Sequence, residues 1–127
     1  MASTLDSVVR LWDVGAAKCV KVYKGHKNEK FCCNSELYHR SDSDSHWVVS
    51  GSEDNKIYIW DLQTQQVIQM LEGHAGAFSI LTKKNSHVIA DAVISISCHP
   101  SADILASGSL EKDRSVKLWK MDLAMIQ

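Results

Sequence analysis

The sequence predicts an all-β chain assembled from repeated short antiparallel strands, and three observations predict it. Three tryptophans end related segments: Val-Val-Arg-Leu-Trp-Asp closes at Asp13, Lys-Ile-Tyr-Ile-Trp-Asp at Asp61 and Ser-Val-Lys-Leu-Trp-Lys at Lys120. Before each tryptophan, apolar residues alternate with polar or amphipathic ones: Val9, Arg10, Leu11; Ile57, Tyr58, Ile59; Val116, Lys117, Leu118. That period of two belongs to a strand. The punctuation repeats as well. Asp6, Asp54 and Asp113 precede their tryptophans at one fixed offset, and Gly25-His26 and Gly73-His74 follow Trp12 and Trp60 at another. Self-similarity of this kind marks a repeat architecture.

Taken in order, the expected strands are Val8–Asp13, Cys19–Tyr23, Lys30–Cys33, Trp47–Gly51, Lys56–Asp61, Val67–Leu71, Val93–Ser97, Ile104–Gly108 and the segment ending at Trp119. Glu53-Asp54-Asn55 reads as a hairpin turn, because asparagine tolerates a positive φ. Arg40-Ser41-Asp42-Ser43-Asp44-Ser45 is too polar for anything but an exposed loop. A Ser-Gly-Ser recurs at 50–52 and 107–109. Trp60 and Trp119 lie farther apart than Trp12 and Trp60, and residues 76–90 account for the difference. They are expected to be a surface insertion dispensable for local folding, since long loops cost little extra closure entropy.

Composition narrows the function. The 127 residues are 45% hydrophobic and 23% charged, with 14 Lys and Arg against 15 Asp and Glu. No basic surplus exists to hold a phosphate backbone, so direct nucleic-acid binding is not expected. No segment approaches the roughly 20 apolar residues of a membrane span, and Met1 to Asp6 lacks the pattern of a signal peptide. Cys19, Cys32, Cys33 and Cys98 form no C-x-x-C pair and are expected to be reduced thiols of an intracellular protein.

Gly-His, then Ser-Gly-Ser-x-Asp, then Trp-Asp resembles the WD repeat, whose unit is a four-stranded β-propeller blade with strands A to D. The resemblance implies a partial propeller of about two to three blades, not closed. Residues 1–24 would supply strands C and D of one blade, 25–74 a whole blade, 75–91 an insertion, and 92–127 strands A to C of a third with a tail. More narrowly, the chain resembles the C-terminal part of those WD-repeat proteins that are core subunits of histone lysine methyltransferase complexes. Gly25 to Phe31, Ser50 to Asn55, Tyr58-Ile59-Trp60, Leu62-Gln63-Thr64, Cys98-His99-Pro100 and Lys117 to Lys120 carry this likeness. It implies a non-enzymatic scaffold in the nucleus, with the cytoplasm as an additional location, whose partners are a histone tail and other complex subunits. A substrate receptor of a ubiquitin ligase is the alternative within the same family.

Candidate site residues follow from both readings. The resemblance makes His26, Ser50, Asp54 and Trp60, and likewise His74, Asp113 and Trp119, a buried hydrogen-bond relay that satisfies each indole N–H; Ser52 competes with Ser50 for the serine position. The same residue types could form a Ser-His-Asp hydrolase, but a catalytic group is needed once and this one recurs, and no G-x-S-x-G elbow supports it. Cys32, Cys33, His39 and His46 offer zinc ligands on paper. Adjacent cysteines point to opposite faces of a strand, however, so no metal or other cofactor is expected. His87 and His99 are read as surface or packing residues. In the family, Phe31 and Cys32 would belong to a pocket for an inserted arginine, where Asn34 replaces a second aromatic; arginine-peptide affinity should accordingly be weak or absent. Leu11, Leu37 and Gln63 match a partner-binding face. Because a propeller needs 4–8 blades to close, the outer blade faces, drawing on Val8, Val20, Val22, Ile104, Leu105 and Val116, are expected to drive self-association or to need a complementary propeller fragment for folding.

Overall fold

The computed structural model describes residues 1–40, 44–74, 91–110 and 113–121. Every regular element among them is a strand: β1 (Ala2–Thr4), β2 (Val8–Asp13), β3 (Lys18–Tyr23), β4 (Ser35–His39), β5 (His46–Gly51), β6 (Lys56–Asp61), β7 (Val67–Glu72), β8 (Val93–Cys98), β9 (Ile104–Ser109) and β10 (Val116–Lys120). They form three antiparallel sheets: a first sheet β1-β2-β3, a middle sheet β4-β5-β6-β7 and a last sheet β8-β9-β10. The fold is all-β, and the sheets do not close on one another.

The alternation of apolar residues becomes two cores. Val48, Tyr58 and Trp60 on one face of the middle sheet meet Val9 and Tyr23 of the first, with Leu11 and Leu62 at the margin. On its other face Tyr38, Trp47, Val49, Ile57 and Ile59 meet Val93, Ile96 and Leu105 of the last sheet. A sheet buried on both faces needs apolar residues at consecutive positions, which is why Trp47-Val48-Val49 and Ile57 to Trp60 read as continuous runs. At Gly51 no side chain fits at all. A Cβ there would stand 2.0 Å from the Val93 carbonyl oxygen, so the middle and last sheets touch backbone to backbone.

The repeat is also written in the backbone. Ser7, Asn55 and Arg114, each directly after its aspartate, hold φ of 59°, 65° and 47°. Ala17 and Gln65, at equal distance after Trp12 and Trp60, hold 50° and 63°. A register shift falls between Leu11 and Trp12 and again between Ile59 and Trp60. The aspartate of Trp-Asp shapes the next turn: Asp61 Oδ1 accepts from the Gln63 and Thr64 amides at 2.9 and 2.7 Å, and Asp13 Oδ1 from the Ala16 amide at 3.0 Å.

Three expectations are corrected. The first strand of the middle sheet is Ser35–His39 and not Lys30–Cys33. Residues 30–33 are held as irregular chain because the Lys30 amide donates to Glu53 Oε2 at 2.8 Å and the Cys33 amide turns back to the Phe31 carbonyl at 3.0 Å. Residues 1–24 supply three strands, since Ala2–Thr4 pairs with β2. Val8 and Leu105 are buried, because the sheet register turns them inward, whereas Val20, Val22, Ile104 and Val116 are exposed. Residues 76–90, and His87 among them, lie outside the described residues.

Candidate functional site

In the last sheet a chain of four side chains runs through the interior. Trp119 Nε1 donates to Ser107 Oγ at 2.6 Å, Ser107 Oγ lies 2.6 Å from His74 Nε2, and His74 Nδ1 meets Asp113 Oδ2. With a neutral imidazole the serine oxygen accepts the indole N–H, its own O–H donates to Nε2, and Nδ1–H donates to the carboxylate. Burial pushes the Asp113 carboxyl up, yet hydrogen bonds from Ser115, at 2.7 Å, and from His74 outweigh it, and the acid sits below its ordinary value. Gly73 is required beside this histidine because the Trp119 ring would lie 2.8 Å from a Cβ there.

The structure does not assemble the matching group in the middle sheet. Trp60 Nε1 donates instead to the Lys24 carbonyl at 2.8 Å. Asp54 Oδ2 accepts from the Tyr58 hydroxyl at 2.7 Å, a group the last sheet cannot offer because Lys117 stands at that position. Ser50 Oγ turns to the Gly51 carbonyl at 3.0 Å, and Ser52 Oγ takes the Lys27 amide at 2.9 Å. His26 remains buried with neither ring nitrogen bonded, packed against the rings of Tyr58 and Trp60 at 6.3 and 5.2 Å. Burial pushes its pKa down, against the pull of Asp54, Asp6 and Glu53. The register equates Ser107 with Ser50, so the serine that closes the relay was visible in the Ser-Gly-Ser of 107–109.

The remaining candidates separate into two places. Phe31 and Cys32 are exposed, and Cys32 lines a shallow cavity of about 350 Å³ together with Met1, Ser3, Cys33, Asn34 and Ser35. Asn34 has a role that the sequence did not announce. Its amide clamps the last sheet, Nδ2 donating to the Ile96 carbonyl at 2.9 Å and Oδ1 accepting from the Ile96 amide at 2.7 Å. Leu11 and Gln63 gather at the seam of the first and middle sheets, where Lys21 Nζ donates to the Gln63 carbonyl at 2.8 Å. Leu37, opposite Val48 on the face toward the first sheet, is exposed, and among the described residues the first sheet has three strands.

Cys32, Cys33, His39 and His46 do not converge. β4 carries His39 roughly 13 Å along the strand from Ser35, away from Cys32 and Cys33 before it, and His39 and His46 stack on one another at 4.5 Å. Burial pushes the Cys33 thiol up to about 11. Among the described residues no group of three or more ligand-type side chains stands together. His99 caps a turn, its Nδ1 accepting from the Ala102 amide at 2.9 Å.

Comparison with known proteins fits the two repeated hairpin units. Residues 17–61 and 78–120 match the family described as WD domain, G-beta repeat. The chain belongs to the WD-repeat family. Among its relatives are the WD repeat domain-containing protein 83 homolog of Dictyostelium discoideum, 38% identical over 68% of this chain and 25% of that protein. The WD repeat-containing protein 26 homolog of Arabidopsis thaliana is 36% identical over 72% of this chain and 16% of its own length. The WD repeat-containing protein pop2 of Schizosaccharomyces pombe is 27% identical over 95% of this chain and 18% of its own length. The chain thus spans a quarter or less of the length of these WD-repeat relatives. In WD-repeat terms the first sheet is a blade of three strands, the middle sheet a whole blade, and the last sheet a blade whose β10 has no further strand beside it among the described residues.

Proposed function

We propose that this WD-repeat chain is a non-enzymatic interaction scaffold, that it engages extended arginine-bearing peptides beside Phe31, and that it serves a histone lysine methyltransferase assembly in the nucleus. One observation carries the scaffold reading: the serine, histidine and aspartate that could do chemistry are spent inside the fold. Ser107 is 2% exposed and bonded to both Trp119 and His74, whereas a nucleophile has to meet its substrate. Ser50 is fully buried, and Asp54, which would orient a base, is held by Tyr58.

The peptide reading rests on the exposed Phe31, on Cys32 at the open cavity, and on the resemblance of Gly25 to Phe31 to WD repeat-containing protein five. None of the relatives named above bears a methyltransferase name. Phe31 offers one aromatic face to a guanidinium. Asn34, whose amide is committed to Ile96, offers no second, so binding by this chain is weak. Titration of the isotope-labelled chain with an arginine-centred histone-tail peptide at millimolar concentration tests it by NMR. Shifts centred on Phe31, Cys32 and the cavity, lost in Phe31→Ala, are expected. No shifts, or shifts that survive Phe31→Ala, overturn the peptide site and leave the scaffold to another surface.

A further inference from the structure

Of the four residues that offer zinc ligands on paper, the two cysteines fall away and the two histidines meet. His39 ends β4 and His46 begins β5, and the register sets them directly opposite each other at the turn end of that hairpin. The next pair outward, Arg40 and Ser45, is joined by an amide-to-carbonyl bond at 3.3 Å. The histidines are therefore a pair of the non-hydrogen-bonded kind, in which side chains come closest. Their rings stand 4.5 Å apart at a 26° tilt, and both residues are exposed. The hairpin beneath them is fixed. On its opposite face Tyr38 stacks on Trp47 at 5.4 Å, both buried, and the Tyr38 hydroxyl donates to Asp103. The His46 carbonyl accepts from the Leu62 amide at 3.0 Å.

One bond selects the nitrogen. His46 Nδ1 lies 2.8 Å from the Asp44 carbonyl oxygen. A carbonyl can only accept, so Nδ1 carries the proton, and in the neutral ring the lone pair is left on Nε2. Histidines that ligate metals are held in this way, the other ring nitrogen donating to a carbonyl or carboxylate. We propose that His39 and His46 form a binding site for a divalent transition-metal ion, with His46 ligating through Nε2. Two imidazole nitrogens bound to one zinc stand roughly 3.3 Å apart, a separation that rings stacked at 4.5 Å reach by small side-chain rotations. Imidazole suits zinc, nickel and copper, whereas magnesium and calcium take oxygen ligands. Water fills the remaining positions, since no third ligand-type side chain stands with the pair among the described residues. The site lies at the far end of β4 from Asn34 and is separate from the peptide site at Phe31.

Zinc chloride titrated into the 127-residue chain tests the site, with calorimetry for affinity and imidazole-nitrogen NMR for the ligands. The signals of both rings should move with zinc, His46 changing at Nε2 while Nδ1 keeps its proton, and magnesium chloride should give no response. His39→Gln and His46→Gln should each weaken binding about 100-fold, because a second linked contact strengthens binding by roughly 10²–10⁴. The double variant should bind hardly worse than either single one, since the pair acts as a unit. Should a variant fail to fold, the ring signals of the unmodified chain decide. Zinc that moves signals around the exposed Cys19 or Cys32 and leaves both histidine rings unmoved would overturn the paired site. So would a loss in only one of the two folded variants, or no binding at millimolar zinc.

Discussion

His26 and His74 are the same residue of the repeat in opposite circumstances. His74 joins Ser107 to Asp113, whereas both nitrogens of His26 are buried without a partner. Removing one member of a buried network strands the others at about 1–3 kcal/mol per group, while replacing an unbonded polar ring by an apolar one of like shape is close to neutral or stabilising. His74→Phe is therefore expected to lower stability in urea unfolding by about 2 kcal/mol or more, and His26→Phe to leave it unchanged or raise it. Equal losses in both would contradict this account. The pH dependence follows from the same burial, which pushes His26 below its ordinary value. As pH falls, the unfolded chain binds this proton first, at about 6.5. The contribution is thus full above that pH and is lost as pH drops toward the lower folded value. The melting temperature should fall on going from about pH 7.5 to about pH 5.5, and His26→Phe should flatten that slope.

Strands and turns were the most legible level, because each is decided locally. Period-two alternation before the repeat tryptophans located β2, β6 and β10, and Asn55 announced its own left-handed turn at φ 65°. Lys30–Cys33 failed for a reason no local pattern contains: Glu53, more than twenty residues later, takes the Lys30 amide and keeps that stretch out of the sheet. The relay was half legible. Its residue types were plain from the repeat, but the Tyr58 hydroxyl captures Asp54, and that diversion depends on one side chain that the repeat does not specify. Asn34 read as a missing aromatic, since an amide that clamps a neighbouring sheet leaves no periodic signature. Gly51 was visible only as part of Ser-Gly-Ser. Its contact with the Val93 carbonyl makes it a spacer of zero thickness. Overpacking usually costs about 1–3 kcal/mol, and here a backbone atom would have to yield. Gly51→Ala should consequently destabilise by at least that much, whereas Gly15→Ala, whose Cβ would meet only the Asp13 carboxylate at 3.5 Å, should cost little. A small loss at Gly51 in chemical denaturation would mean that the two sheets part easily.

Among the described residues the middle sheet has neighbours on both faces, and the first and last sheets have one each. Linear arrays of repeats behave as a sum of unit stabilities and nearest-neighbour contacts. Amide exchange should accordingly be slowest in β5 and β6 and fastest in β1 and β10; uniform protection would argue against this ordering. In all three sheets the strands pair in their order along the chain, and the middle sheet combines this with burial on both faces. Such hairpins close over short distances, and short-range contacts form first because little loop entropy opposes them. Time is then ordered along with stability: the β5–β6 hairpin should be the folding nucleus onto which the outer sheets condense. Stopped-flow refolding can read this directly. Val48→Ala, at the centre of that hairpin, should slow refolding, while Val9→Ala in the first sheet should leave the refolding rate nearly unchanged and speed unfolding.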